Sequence, residues 1–127
     1  ASLSCILAQR LVRSICPTCR VPIQIHPEQC QESGIDYEAV KHLTFFEGKG
    51  CHEFHGLGFR GRKAITEFLD MTDSIKEMIL NEKSMSEIRT AAMAQGLTSL
   101  RQAALEKVFR GETTLKEINR VTPVEDI

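Results

Sequence analysis

Residues 14–20 read Ser-Ile-Cys-Pro-Thr-Cys-Arg, and this stretch decides how the chain is organised. A Cys-x-x-Cys turn presents two sulfur atoms from one tight loop, and a proline between them rigidifies that turn. A second stretch, Gly-Lys-Gly-Cys-His-Glu-Phe-His-Gly, follows at residues 48–56. Because structural zinc prefers four ligands in a tetrahedron with thiolate donors, the two stretches together predict a metal site.

The predicted ligands of this site are Cys16, Cys19, Cys51 and His55. The fourth ligand is taken as His55 rather than His52, because a residue adjacent to Cys51 rarely reaches the same ion. Zinc accepts imidazole as well as thiolate, so a Cys₃His set is chemically suitable. The glycines around Cys51 are expected to make the second loop flexible enough to wrap around the ion.

Other interpretations of the cysteines stay open at this point. Cys16 and Cys19 could form a redox pair, but a thioredoxin-like motif should open a helix, and this one enters a loop. The thiols could also be merely buried, or the site could have decayed. Cys30 lies in polar, loop-like sequence and is expected to be a free surface thiol or a replacement ligand. Cys5 is expected to be a small apolar core residue.

The bulk properties are those of a globular protein without a pronounced charge. The chain has 127 residues, 42% hydrophobic and 26% charged, with a formal net charge of −1. This near-neutral balance gives no overall attraction to nucleic acid, and no apolar run is long enough to span a bilayer. An odd cysteine count and no secretory signal favour a reducing compartment, so we expect a cytoplasmic location. The chain begins with Ala inside a periodic pattern, which suggests a fragment of a longer protein.

Local patterns predict the following elements. Apolar residues at helical spacing predict a helix over residues 2–14, and residues 21–25 and 37–43 suggest a short extended segment and a short helix. Residues 63–70 are typical of a strand. Beyond them, four helices are expected to begin at Thr72 or Asp73, at Ser84, at Thr98 and at Thr114. Ser84 with Glu87 and Thr114 with Glu117 have the spacing of capping boxes.

These elements predict an α+β fold that is mostly helical. Residues 1–15 would form a helix, residues 16–62 a small zinc-ribbon-like metal-binding insertion, and residues 63–127 a strand with a C-terminal helical bundle. The insertion has few apolar residues, and small units of that kind usually need a metal to stay folded. The sequence has no phosphate loop, no nucleophile elbow and no His-Glu-x-x-His helix, so it shows neither catalytic nor nucleotide-binding residues.

Several strings together resemble one family, the ATPases of type II secretion and type IV pilus assembly. Ala-Gln-Arg-Leu-Val-Arg at residues 8–13 precedes the Cys-x-x-Cys turn, as in the family signature. Gly-Cys at 50–51 and Gly-Phe-Arg-Gly-Arg at 58–62, followed by Glu67, resemble the family's second cysteine block. Gly-Leu-Thr-Ser-Leu at 96–100 and Gly-Glu-Thr-Thr-Leu-Lys-Glu at 111–117 resemble its last helices.

This resemblance implies a C-terminal segment of a hexameric ATPase. Residues 1–15 would be the last helix of the RecA-like core, and the insertion would hold a structural zinc. The ATP and Mg²⁺ sites would lie in the parent protein, upstream of this segment. The implied partners are the other hexamer subunits and the inner-membrane platform protein, with no nucleic acid. The implied location is cytoplasmic and peripheral at the inner membrane.

The sequence departs from the family pattern at the proposed site. Phe54 stands where the fourth family cysteine belongs, and His55 is one position further on. Leu57 replaces a usual threonine, and Lys63-Ala64 replaces Thr-Gly. The alternative function is a free-standing zinc-ribbon adaptor that binds nucleic acid or protein, suggested by the Cys-x-x-Cys turn and the basic residues 60–63. The near-neutral charge and the scarcity of aromatic residues argue against it.

Overall fold

Two antiparallel ladders organise the molecule in this computed structural model, which describes residues 3–51 and 56–124. Strand β1 (Ser4–Ile15) pairs with β4 (Phe59–Asp70), and the short strand β2 (Arg20–Ile23) pairs with β3 (Phe45–Gly48). The register aligns Ile15 with Phe59 in the first ladder and Arg20 with Gly48 in the second. The two loops that connect the ladders, residues 16–19 and 49–58, therefore lie at the same end of the β1–β4 ladder.

We call the end of the β1–β4 ladder at Ile15 and Phe59 the knuckle end. The opposite end, at Ser4 and Asp70, is the helical end, because the first of the C-terminal helices follows it directly. The described ranges contain six helices, which are α1 (Pro27–Glu32), α2 (Tyr37–Val40), α3 (Asp73–Leu80), α4 (Met85–Ala94), α5 (Leu100–Phe109) and α6 (Leu115–Val121).

The predicted helix over residues 2–14 is wrong, because Ser4–Ile15 forms strand β1. Leu3, Ile6 and Leu11 were part of the apolar pattern that predicted a helix, but all three are exposed, Leu3 just before the strand and the other two within it. A register shift between Ile6 and Ala8 interrupts the two-residue alternation that would have revealed a strand. With two long strands, the fold is mixed α/β rather than mostly helical.

The other predicted elements are close to those observed. Residues 21–25 and 37–43 contain β2 and α2, and the predicted strand over 63–70 lies within the longer β4. The side chains of Thr72, Ser84 and Thr114 cap α3, α4 and α6 by accepting backbone N–H groups. The third of these four C-terminal helices starts one residue later than predicted, with Ser99 as its cap. None of the helices in the described ranges has the length and apolar character needed to cross a membrane.

One hydrophobic core joins the insertion to the C-terminal helices. Ile25, Cys30, Val40 and Phe45 from the insertion pack in the same cluster as strand and helix residues from the rest of the chain, which are Val12, Ile65, Ala104, Leu105, Val108, Leu115 and Ile118. A smaller cluster of Leu69, Ile75, Ile88 and Ala92 lies at the helical end. The few apolar residues of the insertion are therefore buried against other elements rather than in a core of their own.

Candidate metal centre

The Cys-x-x-Cys turn connects the two ladders. Strand β1 ends at Ile15, the turn occupies residues 16–19, and β2 begins at Arg20. The Cys16 N–H donates to the Gly58 carbonyl at 2.9 Å, and the Ile15 N–H donates to the Glu112 carbonyl at 2.9 Å. The first bond fixes the turn to the residue before β4, and the second fixes the end of β1 to the segment between α5 and α6. The turn lies between two strands and does not open a helix, which differs from the setting of a thioredoxin-like redox pair.

The loop that follows β3 lies beside the Cys-x-x-Cys turn, and its backbone packs closely against neighbouring backbone. The Lys49 N–H donates to the Cys19 carbonyl at 3.1 Å, which sets Cys51 beside the turn. A Cβ atom on Gly48 would lie 2.0 Å from the Gly58 carbonyl oxygen. The glycines are thus required for close approach rather than for flexibility, because any side chain at Gly48 would push the two strand ends apart.

Three of the four predicted ligands come together. The Sγ atoms of Cys16, Cys19 and Cys51 all lie within 4.8 Å of one another, and those of Cys16 and Cys51 are 3.9 Å apart. Tetrahedral zinc with Zn–S bonds of about 2.3 Å places its sulfur ligands about 3.8 Å apart, so the spacing fits this ion. His55 lies outside the described residues, as does Phe54.

The turn also stabilises a thiolate. Backbone N–H groups, above all that of Cys19 and then that of Thr18, lower the pKa of the Cys16 thiol, and burial opposes them. The thiols of Cys19 and Cys51 lower the pKa further through hydrogen bonds. Because a metal binds the thiolate and not the thiol, these donors favour the form that coordinates.

The remaining two cysteines are placed differently from what the sequence predicted. Cys30 is fully buried in α1 as part of the main core, so it is not a free surface thiol. Burial raises the pKa of its thiol, with Asp36 adding to the effect. Cys5 is exposed on β1 and is not a core residue. Neither belongs to the thiol cluster found among the described residues.

A buried carboxylate, which the sequence reasoning missed, supports the knuckle end. Glu117 accepts the Arg13 backbone N–H at 2.8 Å and the Arg13 guanidinium at 2.9 and 3.1 Å. The guanidinium of Arg120 donates to both of its oxygens, at 2.8 and 3.1 Å. Burial alone would raise the pKa of Glu117, but the hydrogen bonds from Arg120 and Arg13 hold it at about 2. The only sequence signal was its position in a capping box, and its carboxylate binds arginines instead.

Glu67 has a similar structural role at the middle of β4. Its side chain is buried, accepts the Leu100 N–H at 3.0 Å and pairs with Arg89 at 2.9 Å. A carboxylate at the first turn of α5 also complements the helix dipole. The sequence analysis noted Glu67 only as part of the family pattern. In the structure it links the sheet to α4 and α5.

Comparison with known proteins places this arrangement in a family. The sequence profile described as "Type II/IV secretion system protein" matches residues 1–120. The match therefore covers β1, both loops of the thiol cluster and nearly all of the C-terminal helices.

Individual relatives agree with this match. The chain is 39% identical over 119 residues to the type IV pilus assembly ATPase PilB of Myxococcus xanthus, which covers 93% of this chain and 21% of the relative. It is 38% identical over 120 residues to the type II secretion system protein E of Pseudomonas aeruginosa, covering 94% of the chain and 23% of that relative. The chain thus spans about a fifth of the length of these relatives.

Proposed function

The chain belongs to the type II/IV secretion system protein family, and from this membership we propose that it is the C-terminal segment of an ATPase that powers type II secretion or type IV pilus assembly. The relatives that it matches carry those names, and it corresponds to only part of each. Its role within the parent is structural: it supports packing of a hexamer and transmits ATP-driven motion. The ATP and Mg²⁺ sites belong to the remainder of the parent.

We propose further that residues 16–62 hold one structural zinc ion. The observation that carries this is the convergence of Cys16, Cys19 and Cys51 from two loops that backbone hydrogen bonds hold together. Three thiolates need one more ligand to complete a tetrahedron, and His55 is the proposed fourth. The ion would fix the two loops relative to each other, which is how structural zinc contributes folding free energy.

In the parent protein, residues 1–15 would form the last element of the RecA-like core, as a strand. Residues 63–127 would form the C-terminal subdomain. The partners that we propose are the other subunits of the hexamer and the inner-membrane platform protein, which places the parent in the cytoplasm at the inner membrane. Family membership is what favours this function over a free-standing adaptor.

Elemental analysis of the purified chain tests the zinc site. We expect about one zinc per chain, and we expect Cys51→Ser or His55→Ala to reduce the zinc content to a small fraction of this value. Cys5→Ser and His42→Ala are the matched controls, because both residues are exposed and lie outside the proposed ligand set. Wild-type protein without zinc would refute the metal site, and full zinc content in His55→Ala would refute the fourth ligand.

A further inference from the structure

Five cations from three separate parts of the chain line one groove next to the thiol cluster. They are Arg20, Arg60, Arg62, Lys63 and Arg110, and the groove has a volume of about 590 Å³. The sequence showed only the basic run at residues 60–63. Folding adds Arg20 from the start of β2 and Arg110 from the end of α5, so a chain with a net charge of −1 carries a concentrated positive surface.

Two of these cations are held in place by the fold. The Arg20 Nε donates to the Gly111 carbonyl at 3.2 Å, and its guanidinium lies 3.5 Å from the centre of the Phe46 ring. Lys63 pairs with Glu112, which is the one acidic residue among the described residues that line the groove. A groove with fixed cations is preorganised, because less side-chain entropy is lost when a ligand binds.

Arg62 and Arg110 contribute positive charge that is weakly compensated. Arg110 pairs with Glu106 at 3.2 Å in an exposed contact on α5, which is a weak interaction in water. Arg62 is exposed and has no ion pair within residues 3–51 and 56–124. It lies opposite Arg13 in the ladder, and the Arg13 guanidinium is itself paired with Glu117.

The shape and composition of the groove distinguish among anionic partners. Five of the described lining side chains are cationic, and Ile15 and Pro17 are the apolar ones, so the groove favours an anionic ligand. Among the described residues, no aromatic side chain lines the groove, so the groove itself offers no ring on which a base could stack. Arginine forks match carboxylates in a bidentate geometry.

We propose that this groove binds an acidic, extended segment of a partner polypeptide. A strand-like segment advances about 3.3 Å per residue, so alternate Asp or Glu side chains meet successive cations along the groove. Arg62 and Arg60 on β4 and Arg20 on β2 provide the contacts nearest the Cys-x-x-Cys turn. This inference goes beyond the proposed function and does not depend on the identity of the metal.

Fluorescence anisotropy on the full 127-residue chain tests the proposal. The probe is a fluorescein-labelled decapeptide of alternating glutamate and glycine. The corresponding lysine–glycine decapeptide is the control of opposite charge. We expect saturable binding of the acidic peptide only, which weakens as salt is added. We expect Arg62→Glu to weaken it about tenfold, because reversal replaces an attraction with a repulsion.

Lys76→Glu on α3 is the matched control, since it makes the same charge change at an exposed site outside the groove. It should change the affinity less than about twofold, as expected for screened charges more than a Debye length apart. Arg62→Gln is the milder second variant, and circular dichroism and zinc content verify the fold of each protein. Equal weakening by Lys76→Glu would overturn the proposal. So would tighter, Arg62-dependent binding of phosphatidylglycerol vesicles or of a single-stranded oligonucleotide.

Discussion

The two ends of the β1–β4 ladder are held together in different ways. At the knuckle end, the contacts join residues far apart in the sequence, such as Glu117 with Arg13 and Gly58 with Cys16. At the helical end, α3 and α4 are each capped by a residue directly before them and pack in a small cluster of their own.

The difference shows which end depends on the whole chain. At the knuckle end, a buried ion pair, two loops and a closely packed pair of glycines must all form together. At the helical end, local capping bonds and a few apolar contacts predominate, with the Glu67–Arg89 pair as a long-range link to α4. We therefore expect the knuckle end to respond to single changes with a large loss of stability, and the helical end to respond locally and weakly.

Gly58→Ala should have the largest effect at the knuckle end. Gly58 has a φ of +78°, and a Cβ there would lie 2.5 Å from the Gly48 carbonyl oxygen. The left-handed backbone and the clash together should cost about 4 kcal/mol of unfolding free energy, since a backbone neighbour cannot move aside like a side chain. Chemical denaturation measures this loss, and zinc content should fall in parallel.

Gly61→Ala separates the two causes of that loss. Gly61 has nearly the same φ, +76°, but a Cβ there would meet nothing within 4 Å. Gly61→Ala should therefore lower the free energy of unfolding only by the cost of a left-handed backbone at a non-glycine residue, about 1 kcal/mol. Equal destabilisation by the two variants would show that close approach at Gly48 and Gly58 is unimportant, and the comparison between the two ends would lose its main support.

Glu117→Gln should have the next largest effect. The folded-state pKa of about 2 lies below the ordinary value of 4.5, so ionised Glu117 stabilises the fold above pH 4.5. This contribution, about 3 kcal/mol, is lost as the pH falls from about 4.5 toward about 2. At pH 7 the free energy of unfolding of Glu117→Gln should be lower than that of the wild type by this amount. The difference should shrink as the pH falls. Denaturant unfolding across this pH range measures both.

Glu106→Gln is the control for that experiment. Glu106 pairs with Arg110 on the exposed surface of α5, where 62% of its side chain is accessible. An exposed pair of this kind contributes less than about 1 kcal/mol and should hardly change the acid dependence. A wild-type protein whose stability does not change below pH 4.5 would contradict the role assigned to Glu117.

Ile88→Val should have the smallest effect, confined to the helical end. Ile88 is buried in the cluster with Leu69, Ile75 and Ala92. Loss of one methyl group costs about 1 kcal/mol. Hydrogen exchange should accelerate about fivefold in α3 and α4 and stay unchanged in α6. Faster exchange throughout the chain would show that the two ends unfold as one unit.

The same contrast explains what the sequence could predict. The capping residues Thr72, Ser84 and Thr114 were predicted because a cap is read from a few neighbouring positions. Strand β1 was mistaken for a helix because its pairing partner, β4, lies more than forty residues further on and its own alternation is interrupted by the bulge. Local periodicity contains no information about such a partner.

The candidate site was predictable only in part, for the same reason. Spacing suggested that Cys16, Cys19 and Cys51 would meet, because ligand chemistry constrains distant residues in a recognisable pattern. Nothing comparable marked Cys30 as a core residue, since it is buried in a cluster whose other members, such as Val12 and Ile118, are distant in the sequence. The pairing of Glu117 with Arg13 and the contribution of Arg110 to the basic groove likewise follow from tertiary structure alone.

The long separation between β1 and β4 has a consequence for biosynthesis. Residues 16–58 must be translated and folded back before Ser4–Ile15 can meet its partner Phe59–Asp70. At about 5–20 residues per second, the nascent strand waits for seconds with its edge unsatisfied, and such edges promote aggregation. During that interval the Cys-x-x-Cys turn has already been made, so the proposed zinc ion could meet its first two ligands before the long ladder exists.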